Sequence, residues 1–336
     1  MMKKILVFLL FSVIISAQKT QLIQLTQNIK DKDKSAKSLT IIDHRDQKNI
    51  GPISHQGEAF EIQFKDNQIE KAIQDWFISD NKNSGNTDFV VVVEDLKAFD
   101  EPKEKSTIGK LEIKLSSFVK KDDKYYFVHR ISEKFSFQPK YDTHIPRLTA
   151  TKIAMVFSRF INDSYSISSN DIVMSDNELR NYEEINLKQL KSLNSVTLSD
   201  GVYVDFKSFA NQQPNKEYSV YKNKKGFVTG FVNSKEWPVG NGTKFYGFVE
   251  NGIPYRQTQV GFLEMEKDEK GFYIISSKNE LFPQGVSDNV LIGSMIGGVV
   301  GGFVVAVIES SKKRDPNAPG MGKVYLDSLT GAYIFE

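Results

Sequence analysis

Four histidines, His44, His55, His129 and His144, are the side chains most able to do acid–base or metal chemistry in this chain. None stands at H-x-x-x-H or H-E-x-x-H spacing, the arrangement that puts two imidazoles on one helical face around a metal. Asp43-His44-Arg45 and His55 bracket one loop, so these four residues form a candidate polar cluster. A carboxylate near an imidazole can activate water, and an envelope hydrolase would use Asp43 and His55 in that way. The competing reading makes Asp43 a strand-end turn former and Arg45 a surface charge. His129 alternates within a strand and reads as a structural histidine with its hydrogen bonds met. Glu264, Glu266, Asp268 and Glu269 cluster beside a turn and read as a solvated hairpin tip. A calcium site is the alternative there, since loop oxygens alone are unspecific. The chain has no G-x-S-x-G elbow, no Walker A loop and no G-x-G-x-x-G run. It has no cysteine, which removes thiolate catalysis, disulfides and Cys-based zinc sites. No catalytic set, cofactor or metal is therefore assigned, and the chain is read as a non-enzyme.

The two ends speak to location. Lys3 and Lys4 precede an apolar run from Ile5 to Ile15, and Ser16-Ala17 follow before Gln18. These are the parts of a secretory signal peptide, expected over 1–17. Residues 290–308, VLIGSMIGGVVGGFVVAVI, form a second apolar run without a charge. At ~1.5 Å per residue a helix there covers about 28 Å, close to one hydrocarbon thickness. Its eleven Val, Leu, Ile and Phe residues favour insertion by roughly 3–7 kcal/mol. Gly293, Gly297 and Gly301 recur every four residues, and Gly298 with Gly302 form a parallel pair. Such a small-residue face lets helix backbones approach closely. A transmembrane helix over 290–308 is expected, with a homo-oligomer through this glycine zipper. As a stop-transfer segment it would leave Lys312-Lys313-Arg314 in the cytoplasm.

The remainder is ordinary globular material. The 336 residues are 40% apolar and 26% charged, with a formal net charge of +2, so no field argues for nucleic acid. Twenty-four Phe and 13 Tyr against 10 Pro suit β-rich domains. A first module over 36–163 shows the order ββαβββα. Its helices follow from apolar stripes at Ile69, Ala72, Ile73, Trp76 and Phe77, behind a capping Asp66, and at Ile153, Val156, Phe157, Phe160 and Ile161, starting near Pro146. Phe89–Val93 is apolar at every position, as in a strand buried on both faces. Leu111, Ile113 and Leu115 alternate with polar residues. Phe99–Ser106 reads as a solvated hairpin loop. The fold class is α+β: an antiparallel sheet with two helices on one face, followed by a β-rich module and the glycine-rich hydrophobic helix.

Residues 164–195 read as a linker with one short surface helix. The β-rich module covers 196–289, where Asn251-Gly252 between apolar runs is a strong hairpin signal. A basic C-terminal tail, 309–336, ends in a strand-like stretch, Tyr325–Phe335. That stretch suits the β module's sheet, in tension with a membrane lying between them.

Two resemblances add to this reading. Ile41-Ile42-Asp43-His44-Arg45, then Ile50-Gly51, an amphipathic helix and a Val-rich strand before a charged hairpin resemble the YajG-type envelope lipoproteins. The lipobox cysteine of that family is missing here, so the glycine-rich helix would supply attachment instead. The resemblance implies a non-catalytic envelope role. Gly201, Tyr203, Phe206, Phe209, Asn211 and Pro214, with Tyr246-Gly247-Phe248 and the closing Tyr325–Gly331, are similar to uncharacterised secreted proteins of Bacteroidetes, a likeness that brings no activity. The expected protein is non-enzymatic, exported and membrane-tethered. Its modules face the periplasm and bind an envelope protein or component. A small-ligand carrier, with a pocket between sheet and helices, and the envelope hydrolase are the alternatives.

Overall fold

The computed structural model describes residues 19–82, 85–103, 106–137, 144–240, 245–282 and 314–335. The expected signal peptide and the expected glycine-zipper helix at 290–308, with Gly293, Gly297, Gly298, Gly301 and Gly302, lie outside these residues. Among the described residues no helix is long and apolar enough to cross a membrane.

The chain begins with β1 (Lys19–Leu22), β2 (Ala36–Asp43), β3 (Pro52–His55) and β4 (Glu58–Gln63). Helix α1 (Ile69–Asp80), the long strands β5 (Thr87–Lys103), β6 (Ser106–Lys121) and β7 (Lys124–Phe137), helix α2 (Ile145–Ser166) and the short β8 (Val173–Met174) follow. The main sheet has the order β2-β5-β6-β7-β8; β2 runs parallel to β5 and the other pairs are antiparallel. The strand that directly precedes α1, the second of the expected ββαβββα order, is not in this sheet. It forms β4, in a separate three-stranded sheet of order β1-β4-β3. Phe99–Lys103 also departs from expectation: it is paired strand, with Phe99 opposite Lys110 and Pro102 opposite Thr107, beyond the stretch where β2 pairs.

Helix α1 buries Ile69, Ile73, Trp76 and Phe77 along the stripe its spacing foretold. Asp66 does not cap it, because Asp66 itself adopts φ 57° in the turn before the helix. Helix α2 starts where Pro146 suggests, and its N-cap is His144, whose Nδ1 accepts the Arg147 N–H at 3.2 Å. Both helices pack in one apolar cluster with Leu39, Val91, Val93 and Leu115 of the main sheet. The opposite face of β5 is apolar for a separate reason. Val90 and Val92, with Phe118 and Phe127, meet Met174, Leu179, Tyr182 and Leu190. The continuous apolar run at 89–93 thus has two hydrophobic partners, which alternation alone would not supply. Leu179 closes a 3-10 turn (Asp176–Asn181), Tyr182 opens α3 (Tyr182–Gln189), and α4 (Lys191–Asn194) follows. Residues 164–195, expected as a linker with a surface helix, therefore cover the second face of the sheet.

The second module contains β9 (Gly201–Tyr203), α5 (Phe206–Ala210), β10 (Tyr218–Lys222), β11 (Val228–Asn233), β12 (Gly247–Glu250), β13 (Ile253–Thr258), β14 (Gly261–Glu264), β15 (Glu266–Asp268), β16 (Gly271–Ser276), α6 (Lys278–Leu281), β17 (Gly322–Leu326) and β18 (Tyr333–Ile334). They form three sheets, ordered β10-β11, β14-β13-β12-β9 and β15-β16-β17-β18. Asn251 and Gly252, at φ 52° and 74°, make the tight turn between β12 and β13 that their residue types favour. Gly247 is required by close approach, since a Cβ there would lie 1.9 Å from the Tyr255 carbonyl oxygen across the β12–β13 pair.

The tail belongs to this module. Strand β17 pairs with β16 in register Tyr273–Tyr325, and β18 pairs with β17. Arg314 forms an ion pair with Glu280 at 2.6 Å. Neighbouring strands and ion-paired side chains share one compartment, so Arg314 lies on the same side of any membrane as β16. The expectation that the basic run is left across a bilayer from the β module is corrected here for Arg314.

Candidate functional site

The sequence cluster does not assemble as a catalytic pair. Asp43, at the end of β2, binds Arg45 through two bonds of 2.9 Å, and Lys48 lies 3.3 Å from its second oxygen. Both Asp43 and Arg45 side chains are almost fully buried. Burial works to raise the Asp43 pKa, but the Arg45 bonds outweigh it and hold the carboxyl below its ordinary value. Arg45 is thus a buried structural partner rather than a surface charge. His44 is lowered by burial and by Arg180. His55 lies elsewhere, at the end of β3, with its ring 4.6 Å from that of His144, which in turn meets Phe60 at 4.9 Å. Asp43 is engaged by cations and His55 by aromatic neighbours, so the two keep different company. In the acidic stretch, Asp268 accepts from Lys323 at 2.8 Å and Tyr325 at 3.0 Å, and Glu266 accepts from Tyr273 at 2.7 Å. These are cross-strand pairs of a sheet rather than a bare loop tip.

The two modules meet along β7. Asp327, 6% exposed, sits in the turn after β17 and receives the Leu329 and Thr330 N–H groups, each at 2.9 Å. Its other oxygen accepts from Nε of the buried Arg130 on β7 at 2.8 Å. Arg130 also meets Glu183 of α3 at 2.9 Å, Glu183 meets Lys114 at 3.4 Å, and Lys114 meets Glu94 at 2.9 Å. Glu94 accepts from Ser116 and Tyr182, and their hydroxyls lie 2.6 Å apart. Charge alternates along this chain, so each buried ion has an opposite neighbour. Burial works to lower the Arg130 pKa, but the Asp327 carboxylate overrides it and holds the guanidinium well above its ordinary value. Beside the pin, burial and then Asp327 push Glu133 up to about 7.

Next to this pin the seam opens into a cavity of about 470 Å³, within the range of small-molecule pockets. Phe127, Leu190, Ala210, Tyr246 and Leu329 are buried parts of its wall, while Asp171, Asp205 and Lys207 are exposed and mark the rim. Most of the polar wall is already engaged. Asn186 donates to the Tyr182 carbonyl at 2.6 Å and accepts from Asn170; Lys207 donates to the Ser169 carbonyl at 3.0 Å; Asp205 caps α5 through the Ser208 N–H at 2.7 Å. Arg256 donates to the Tyr246 carbonyl at 2.5 Å, and its guanidinium lies 4.1 Å from the Tyr246 ring centre. Gly331 is held at φ 70°, and a Cβ there would come within 2.5 Å of the Phe206 ring. His129 is different. It is 3% exposed, lines the cavity, and its Nε2 has no hydrogen-bond partner among the described residues. A buried polar atom left so costs about 1–3 kcal/mol. Burial drives the His129 pKa down to about 4, so the ring is neutral. The expectation of a satisfied strand histidine is corrected on this point.

Sequence reasoning had singled out much of this wall without assigning it a role. Of the aromatic pattern starting at Gly201, Tyr203 and Phe209 enter the core, whereas Phe206 and Asn211 line the cavity. Tyr246 and the Leu329-Thr330-Gly331 end of the closing motif line it too. His129 carried no signal beyond being a histidine on a strand rich in aromatic residues, where Arg130, Ser132, Glu133 and Lys134 are polar too. The chain matches no known family model, no curated protein and no solved structure, so its two likenesses rest on the short motifs that carry them.

Proposed function

We propose that this chain is an exported, non-enzymatic binding protein of the cell envelope, and that the seam cavity is its ligand site. The cavity carries this reading: it is built by both modules, apolar in its depth and polar at its rim, the usual character of a small-molecule pocket. The carrier reading therefore takes precedence over an unspecified interaction role. The hydrolase reading loses its support, because Asp43 and His55 are held by different neighbours. Attachment through 290–308 remains part of the proposal, with one change. Since β16 and β17 are hydrogen-bonded neighbours, attachment keeps the C-terminal tail with the modules, on the periplasmic side.

The test uses N-phenyl-1-naphthylamine, an uncharged apolar fluorophore, with the full mature chain in mild detergent. Saturable one-to-one binding is expected. Ile172→Trp, which adds bulk at a half-buried wall position, should abolish it while the thermal unfolding midpoint stays near wild type. Equal binding by this folded variant would remove the site from the seam.

A further inference from the structure

We propose that His144 is a proton-operated latch between the start of α2 and the tip of the β3–β4 hairpin. As a neutral imidazole it caps the helix and packs against the hairpin. On protonation it releases both contacts. The latch shares no residue with the seam cavity, so it stands independently of the ligand site.

Three contacts build it. His144 Nδ1 accepts the Arg147 N–H at 3.2 Å, which makes His144 the N-cap of the 22-residue α2. Its ring centre lies 4.6 Å from that of His55, at the end of β3. It also meets the Phe60 ring of β4 edge-on at 4.9 Å. All three rings are half-buried, so protons reach the latch without unfolding. Ile145 and Pro146 behind the cap are buried, and so are Ile53 and Ile62 of the hairpin. These anchors confine the release to the cap and the hairpin tip.

The chemistry follows from the acceptor. A neutral imidazole has one N–H and one lone pair. Because Nδ1 accepts from Arg147, the proton sits on Nε2. A second proton must take the Nδ1 lone pair, and the imidazolium then has two donors and no acceptor, so the cap bond is lost. The new cation also sits at the positive end of the α2 dipole. Burial lowers the His144 pKa, His55 and then Arg147 lower it further, and no carboxylate among the described residues acts against them. On the hairpin, Glu58 stands opposite His55 but is paired with Lys19 at 2.6 Å, and Phe60 is uncharged. With the folded value below the ordinary 6.5, the latch is fully closed above about pH 6.5 and opens as pH falls through the folded value.

The experiment follows the full chain in mild detergent by NMR, labelled with nitrogen-15 at histidine and arginine, from pH 8 to pH 5. At pH 8 His144 should be the Nε2–H tautomer, with cross-relaxation between the His55 and His144 rings and a protected Arg147 amide. By pH 5 the ring contact should vanish and the Arg147 protection factor should fall about tenfold, the size of a typical N-cap contribution. In His144→Asn, a side chain that caps without titrating, protection should stay level. His55→Gln removes one like charge and should move the His144 midpoint upward. An Nδ1–H tautomer at pH 8, a ring contact that persists at pH 5, or an equal fall in protection in wild type and His144→Asn would each overturn the latch. A His144 midpoint unmoved in His55→Gln would overturn the part given to the histidine pair.

Discussion

Removing the Asp327 carboxylate is the sharpest test of how the modules are joined. The residue makes three short contacts, to Arg130 Nε at 2.8 Å and to the Leu329 and Thr330 N–H groups at 2.9 Å each. In Asp327→Ala the Arg130 guanidinium, 7% exposed, keeps one anionic partner, Glu183. Breaking a buried pair by deleting one ion costs about 3–5 kcal/mol, because the survivor is left uncompensated. The Glu183 side chain is 42% exposed and gives partial relief, which favours the low end of that range. The two turn N–H groups add roughly 1 kcal/mol each where water does not replace the carboxylate. The net expectation is a loss of about 3–5 kcal/mol, a large share of the ~5–15 kcal/mol typical of a domain. Urea unfolding followed by circular dichroism reads the total, and the fluorescence of Trp76, buried in α1, reads the first module. Arg130→Met added to Asp327→Ala removes the stranded cation. The double variant should therefore be more stable than the sum of the single losses by about 2–3 kcal/mol, the range seen for residues in contact. If Asp327→Ala costs less than about 1 kcal/mol, or if the two losses simply add, the pin does not hold the seam.

Further outcomes follow from the same geometry. Glu133, with its folded pKa pushed up to about 7, takes up a proton on folding, so its contribution is present below its unfolded value of about 4.5 and is lost as pH rises through about 7. The stability difference between wild type and Glu133→Gln should accordingly fall by up to ~2 kcal/mol from pH 4.5 to pH 7.5, measured as paired urea titrations; a flat difference refutes the assignment. The comparison must be paired, because His129, held at about 4, gains stability from rising pH over an overlapping window. Gly331→Ala forces a side chain into a left-handed position against Phe206 and should lower stability by roughly 1–3 kcal/mol, while Gly320→Ala, also at positive φ but with open space around it, should cost less. A C-terminal tag should be removed by protease from spheroplasts, together with the β module; protection of the tag alone would contradict the β16–β17 pairing.

Much of the first module was legible in its residues because periodicity reports which face a residue turns to the core. The stripe at Ile69, Ile73, Trp76 and Phe77 became the buried face of α1, and the uniform run at 89–93 became a strand with two covered faces. Asn251-Gly252 gave its turn for a local reason, the tolerance of both residues for positive φ. What covered the second face was not legible. Residues 174–190 carry few apolar side chains, and Met174 on β8, Leu179 in the 3-10 turn and Tyr182 at the start of α3 reach the sheet singly from three different elements, so no period marks them.

The sequence by itself determined the local elements, the mixed α+β class and the residues able to fill a core, because propensity, alternation and turn chemistry act over a few neighbours. The tertiary structure alone decided three things. It separated Asp43 from His55. It returned the tail to β16. It brought Arg130 to Asp327, 197 positions apart, beside a cavity that neither module could enclose alone. These depend on which surfaces meet after the elements form, and contacts at such separations leave no periodic trace in the chain.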